Sequence, residues 1–225
     1  MGIDIKRVRA ICLDVDGTLN DTDDRMTDKM ARWLAPLDLM IGKSGRQKLA
    51  RRLVMALESP VNLLYYLADS LGLDNLAARM FRSSDPPKME KTVFQIIPGV
   101  PVMLEILDQH YKLAIVSARG QASTQAFLAQ YKLQGHFAAI ISAQSCRYTK
   151  PYPDPVLAAA EQMSVQAQEC LMVGDTVVDI KAGRRAGAQT VGVLCGFGTE
   201  RELRRAGVDA ILATTGELIP LLGLQ

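Results

Sequence analysis

The chain has 225 residues, of which 48% are hydrophobic, so it can form one sizeable domain, or a core domain with a smaller insertion. Its 26 basic and 24 acidic residues nearly balance, which argues against a nucleic-acid or membrane partner. The N-terminal residues 1–9 lack the apolar core of a signal peptide, and the uninterrupted apolar runs are shorter than a membrane span. We therefore expect a soluble, cytoplasmic protein, either a monomer or a homodimer.

The predicted strands are short apolar runs, at 10–13, 113–116, 138–141, 170–173 and 190–194. Each run is continuous rather than alternating, which is typical of parallel strands covered on both faces. Helical patterns follow at 101–110, 121–131, 155–163, 177–186 and 200–206. This alternation predicts an α/β fold with an open parallel sheet and right-handed crossovers.

One long stretch, from about 27 to about 91, contains no convincing strand. Amphipathic helices are predicted there at 50–57, 63–71 and 76–81. We predict an inserted α-helical cap at 23–91 and a core made of 1–22 and 92–225. Proline-rich segments at 85–87 and 98–101 mark its exit and the return to the core.

The cysteines and histidines do not suggest a zinc site. The four cysteines do not form a C-x-x-C pair, and the chain has two histidines. Cys12 and Cys170 lie inside apolar runs, which predicts buried, reduced thiols.

Two acids follow the first predicted strand in the sequence Asp14-Val15-Asp16-Gly17-Thr18. Ligands of open α/β sheets bind at the carboxyl ends of the strands, where these acids are expected. Two carboxylates this close repel each other unless a cation or a shared proton relieves them. Solvated acids in a simple turn are the alternative interpretation.

A second acidic pair, Asp175 and Asp179, follows the strand predicted at 170–173. Residues four apart share one face of a helix, so both carboxylates can point into one site. Several carboxylate oxygens together favour a hard cation such as Mg²⁺. Acids that stabilise a helix N-terminus are the alternative.

A possible anion site, Ser117-Ala118-Arg119, follows the strand predicted at 113–116. A hydroxyl and successive backbone N–H groups at a helix start bind anions. An ordinary N-cap serine is the alternative interpretation.

Lys150 precedes a run with three alternating prolines, Pro151, Pro153 and Pro155, which would hold the loop rigid. A lysine fixed there can balance the charge of nearby carboxylates and of a phosphate.

These four segments, in this order and spacing, resemble the haloacid dehalogenase (HAD) superfamily in its phosphatase branch. The segments 179–188 and 192–198 are similar to those of phosphoglycolate-phosphatase-type members with a helical cap. The resemblance implies a Rossmann-like core and a magnesium-dependent phosphatase that acts on a small phosphorylated metabolite, phosphoglycolate-like or a sugar phosphate. In this family the cap selects the substrate.

The resemblance also implies residue roles. Asp14 would attack phosphorus and form an aspartyl-phosphate, and Asp16 would act as general acid and then base. Magnesium would be held by Asp14, by the backbone carbonyl of Asp16 and by Asp175. Asp179 would be a further ligand, directly or through water, or a partner for Lys150. Ser117, Ala118, Arg119 and Lys150 would bind the phosphoryl group. Ala118 stands where this group often has asparagine.

Other functions on the same fold remain open. Asp16 argues against a dehalogenase, which does not need an acid there because a halide leaves unprotonated. A phosphonate hydrolase would need a cap lysine, for which Lys29, Lys43 and Lys48 are candidates. A sugar phosphomutase and a non-catalytic binding module are further alternatives. The basic cap segment 43–52 is either a solvated helix face or a surface for an anionic substrate.

Overall fold

The computed structural model describes residues 2–21, 32–37, 42 and 94–224. The chain forms two compact units, one of Met1–Asp21 with Phe94–Gln225 and one of Thr22–Val93. The predicted helices at 50–57, 63–71 and 76–81 lie outside the described residues, as do the candidate cap lysines and the basic segment 43–52. The division into a core and a helical cap therefore stays a prediction.

The first unit is built on one parallel sheet. Its strands are β1 (Ala10–Leu13), β2 (Lys112–Val116), β3 (Ala139–Ile141), β4 (Cys170–Gly174), β5 (Gln189–Val193) and β6 (Ala210–Leu212). Their spatial order is β3-β2-β1-β4-β5-β6, and each neighbouring pair is parallel. The predicted open parallel α/β sheet is confirmed. Five strands agree with the prediction to within one residue at each end, whereas β6 was not predicted.

Helices connect the strands. They are α1 (Val100–Leu107), α2 (Gln121–Tyr131), α3 (Asp154–Gln162), α4 (Val177–Ala186), α5 (Glu200–Ala206) and α6 (Leu218–Leu221). α1 starts after Gly99, whose φ of 85° is left-handed. It ends three residues earlier than predicted, because the chain turns at Asp108 before it enters β2. The four-residue helix α6 was not predicted.

The strand β1 shows why a continuous apolar run predicts a central strand. Ile11 and Leu13 pack into one hydrophobic cluster, whereas Ala10 and Cys12 pack into another. All four side chains are fully buried, since each face of the sheet is covered. Cys12 and Cys170 are buried free thiols, as predicted.

The parallel strands all end at one edge of the sheet, so residues distant in sequence meet there. This edge carries the segments that follow β1, β2 and β4. None of the helices that the structure describes is long and apolar enough to cross a membrane.

Candidate active site

Three aspartates meet at the carboxyl edge of the sheet. Asp14 follows β1, Asp175 follows β4, and Asp179 lies in the first turn of α4. Asp14 is 7% exposed, and the other two are fully buried. One carboxylate oxygen from each lies within 4.8 Å of the others. Asp14 and Asp175, 161 positions apart in sequence, thus belong to one acidic cluster.

Lys150 is the cation that the structure places in this cluster. Its Nζ lies 2.8 Å from Asp14 Oδ1 and 2.5 Å from Asp179 Oδ1. The lysine side chain is 2% exposed, so the two ion pairs are shielded from water. The Lys150–Pro151 peptide bond is cis.

Asp179 is held with both oxygens engaged. Its Oδ1 accepts from Lys150, and its Oδ2 accepts from the backbone N–H of Thr176 at 3.0 Å and from the Thr176 hydroxyl at 2.6 Å. The Thr176 contacts fasten the carboxylate to the N-terminus of α4, where the helix dipole favours negative charge. Asp179 is thus an ion-pair partner of Lys150, and its role towards a metal stays a prediction.

Asp175 has one engaged and one open oxygen. Its Oδ2 accepts from the backbone N–H of Phe197 at 2.7 Å. Its Oδ1 is buried and has no hydrogen-bond partner among the described residues. A buried carboxylate oxygen without a partner is costly, and a bound cation would satisfy it.

The charge of the cluster suits a divalent cation. Three carboxylates face one lysine, which leaves two excess negative charges when all four groups are ionised. Hard cations such as Mg²⁺ prefer carboxylate oxygens. The residues present therefore fit the predicted magnesium, which Asp14 and Asp175 can hold.

The pKa values reflect this crowding. Burial raises the pKa of Asp14 to about 7, against the opposing attraction of Lys150 and with further repulsion from Asp179 and Asp16. Burial likewise raises the pKa of Asp175 well above its ordinary range, helped by the charges of Asp179 and Asp14. Burial lowers the pKa of Lys150, but Asp14 and Asp179 outweigh it and raise the pKa above its usual value. The lysine thus stays charged, and the acids need a cation to ionise fully.

Glycines leave room for the Asp175 side chain. A Cβ at Gly17 or at Gly196 would overlap the Asp175 carboxylate, and a Cβ at Gly198 would overlap its main-chain carbonyl. Gly17 also has a left-handed φ of 72°, which the turn after Asp16 requires. The glycines in the predicted motifs therefore have a packing reason as well as a conformational one.

Asp16 forms a separate ion pair. Nε of Arg119 donates to Asp16 Oδ2 at 2.9 Å, and Arg119 Nη2 donates to Asp16 Oδ1. The Asp16 side chain is 33% exposed and lies outside the group of three clustered aspartates. The sequence predicted both residues for the site but did not predict that they pair.

Ser117 follows β2 and is 3% exposed. Its backbone N–H donates to the Ile141 carbonyl at 2.9 Å, so this N–H extends the sheet. The Ser117 Oγ accepts from the backbone N–H of Arg119 at 3.1 Å, which leaves the serine proton to serve as a donor.

Several supporting residues were missed by sequence reasoning. Phe197, Thr176 and Asn20 bond to site carboxylates, and the Thr215 hydroxyl donates to the Thr18 carbonyl at 2.6 Å. In the sequence, the glycines on either side of Phe197 and the position of Thr176 just before a predicted helix could have indicated these two residues. Thr215 has no motif around it, and only the fold brings it to Thr18.

The site is thus a carboxylate cluster at the carboxyl edge of an open α/β core. Residues 11–193 match the haloacid dehalogenase-like hydrolase family. The chain is 30% identical over 229 residues to a phosphoglycolate phosphatase of Nitrosospira multiformis, covering 96% of each chain. It is 26% identical to that of Nitrosococcus oceani, covering 97% of this chain and 98% of the relative.

A solved structure shares the fold. It is a HAD-superfamily hydrolase, subfamily IA, from Geobacter sulfurreducens, with a TM-score of 0.61 and 21% identity, covering 96% of this chain and 97% of that one. The chain belongs to the haloacid dehalogenase-like hydrolase family. The family prediction is confirmed, and the relatives named above support the resemblance to the phosphoglycolate-phosphatase branch.

Proposed function

We propose that the protein is a magnesium-dependent phosphomonoester hydrolase that acts through an aspartyl-phosphate on a small phosphorylated metabolite. The observation that carries this proposal is the pairing of the buried Asp14 with Lys150 beside Asp175. A carboxylate can attack an anionic phosphate only if their mutual repulsion is relieved. The lysine provides one positive charge for this purpose, and magnesium would supply the remaining charge stabilisation.

Asp14 is the proposed nucleophile. It stands at the end of the central strand, where its backbone N–H donates to the Val173 carbonyl at 3.0 Å and fixes its position. One Asp14 carboxylate oxygen forms a bond to phosphorus as the bond to the leaving alcohol breaks. Lys150 steadies the carboxylate before attack and the phosphoryl oxygens after it.

Asp16 is the proposed general acid and base. It gives a proton to the leaving oxygen in the first step and takes one from water in the second, when the aspartyl-phosphate is hydrolysed. Its greater exposure suits a group that must exchange protons, in contrast to the enclosed Asp14. The acid role also separates a phosphatase from a dehalogenase.

The phosphoryl group would be held by the Ser117 hydroxyl, the Ala118 backbone N–H and Lys150. The proposed metal ligands are Asp14, the Asp16 backbone carbonyl and Asp175, with Asp179 acting through Lys150 or through water. Phosphoglycolate is the first substrate to test, because relatives that match over nearly their full length are named for it. Phosphonate hydrolysis and phosphomutase activity stay open.

The test is hydrolysis of p-nitrophenyl phosphate, 2-phosphoglycolate and a set of sugar phosphates, each with magnesium and with EDTA. We expect magnesium-dependent turnover that Asp14→Asn abolishes without loss of fold. Glu105→Gln, an exposed carboxylate on α1, is the matched control and should keep full activity. Near-normal turnover by Asp14→Asn, or equal rates with EDTA, would contradict the proposal. A wild-type protein that neither turns over nor binds a phosphate analogue would support a binding module.

A further inference from the structure

We infer that Arg119 is a positioning residue that orients Asp16 for proton transfer. The inference rests on the proposed phosphatase activity, in which Asp16 is the acid and base. It departs from the sequence, which assigns Arg119 to phosphoryl binding.

The Arg119 guanidinium is fixed on several sides. Its planar fork contacts both oxygens of Asp16 through Nε and Nη2. Its remaining terminal nitrogen, Nη1, donates to the Ser123 hydroxyl at 3.2 Å. The guanidinium carbon lies 5.0 Å from the centre of the Phe94 ring, within cation–π distance.

These contacts leave Arg119 little freedom to turn towards a substrate. Its side chain is 14% exposed, and its backbone carbonyl accepts from the Ala143 N–H at 3.0 Å. Each of the three guanidinium nitrogens has a partner on the same protein core. Three of the five guanidinium N–H groups are therefore used, and Asp16, Ser123 and Phe94 together fix the plane of the group.

Asp16 is the more exposed partner of this pair. It lies in the turn after β1 and its side chain is one third exposed. The contact from Asn20 Nδ2 to Oδ1 is 3.3 Å long and holds one oxygen only. A bidentate fork sets both the position and the plane of a carboxylate, which a single contact cannot do.

The fold explains why these two residues meet. Asp16 follows Asp14 by two positions at the end of β1, and Arg119 follows Ser117 by two positions at the end of β2. These strands are adjacent and parallel, with Leu13 beside Ile115. The pairing of neighbouring strands therefore carries the arginine to the acid.

The expected signature is a changed dependence on the leaving group. A misplaced Asp16 protonates the leaving oxygen poorly, which slows substrates whose alcohol or phenol has a high pKa. A phenol that leaves readily as the anion needs this proton less. Loss of a substrate contact would instead slow every substrate of one charge by a similar factor.

The experiment measures kcat/KM with magnesium for a series of aryl phosphates whose leaving phenols rise in pKa. Wild type, Arg119→Ala, Arg119→Gln and Asp16→Asn are compared. We expect a steeper fall of kcat/KM with leaving-group pKa in both Arg119 variants, approaching the slope of Asp16→Asn. In the Arg119 variants kcat/KM should fall about 10- to 100-fold for the phenol with the highest pKa and a few-fold for nitrophenol.

Two further variants sharpen the result. Arg119→Lys should bring the slope only part of the way back to the wild-type value, because an ammonium group cannot contact both carboxylate oxygens as a guanidinium does. Arg204→Ala is the control, because Arg204 also donates through two nitrogens to a carboxylate, that of the exposed Glu200. This variant should leave the rates and the slope unchanged.

An unchanged slope with a uniform fall in kcat/KM would overturn the inference and return Arg119 to substrate binding or general stability. Full recovery by Arg119→Lys would also overturn it. Failure of the proposed function is separate, because wild type itself would then not hydrolyse the series. Arg119→Gln keeps the comparison available if the alanine variant does not fold.

Discussion

Lys150 Nζ lies 2.8 Å from Asp14 Oδ1, so the proposed nucleophile and a positive charge share one buried contact. The pair is extended by Asp179, and all three side chains are at least nine-tenths buried. This contact connects stability with chemistry, because the charge that readies Asp14 also offsets the cost of burying it.

Replacing Lys150 with methionine should affect both properties. The carboxylates of Asp14 and Asp179 would lose their buried counter-charge, which costs about 3 kcal/mol or more of unfolding free energy. Turnover should fall at least about 100-fold, since a phosphoryl contact is lost as well. Urea unfolding and steady-state kinetics measure the two effects. Lys6→Met, at an exposed position, is the control. Equal stability of the two variants would contradict a stabilising role for the buried Lys150 ion pairs.

Asp175→Asn should weaken magnesium binding. The open Oδ1 of Asp175 is the buried oxygen that a cation would satisfy, and asparagine lacks the charge. In wild type, added magnesium should raise the midpoint of thermal unfolding, whereas the variant should show a much smaller rise. Unfolding followed over a magnesium titration checks this without reference to activity. An unchanged magnesium response would remove Asp175 from the metal site.

Gly196→Ala should disturb the site through packing. The added Cβ would overlap the Asp175 carboxylate, so the aspartate or the loop must move. We expect about 1–3 kcal/mol of lost stability and weaker magnesium binding. Gly135→Ala is the matched control, because a Cβ there meets nothing within 4 Å. If both alanine variants behave alike in urea and magnesium titrations, the steric argument is wrong.

The metal-free protein should lose stability as the pH rises from about 4 to about 7. Burial raises the pKa of Asp14 to about 7 and raises the pKa of Asp175 also, so the folded state binds protons more tightly than the unfolded chain. This contribution is complete below the unfolded pKa of about 4. It is lost as the pH rises towards and through the pKa of the folded state. The free energy of unfolding then falls by up to about 1.4 kcal/mol per pH unit for each carboxyl group involved.

Urea unfolding at several pH values, with EDTA or with saturating magnesium, measures this slope. Magnesium should flatten it, because a bound cation favours the ionised carboxylates. Asp14→Asn should reduce the slope with EDTA, since one of the protons is removed. A slope that neither magnesium nor this variant changes would show that other groups dominate.

Sequence patterns predicted much of the fold because they report burial directly. A strand covered on both faces must be apolar throughout, as in β1, and helices such as 121–131 and 177–186 were predicted with the observed ends. The edge strand β6 was missed, since its residues are only partly buried and its pairing with β5 depends on the folded sheet.

The sequence by itself determined which acids, serine and lysine lie at strand ends, and this was sufficient for the family. Tertiary structure decided the partners that the sequence left open: Asp14 beside Lys150, and Arg119 beside Asp16. The physical reason is that local patterns record which residues are buried and which turns they make. A contact between side chains more than 100 residues apart, such as Arg119 and Asp16, depends on strand order and register, which only the assembled sheet fixes.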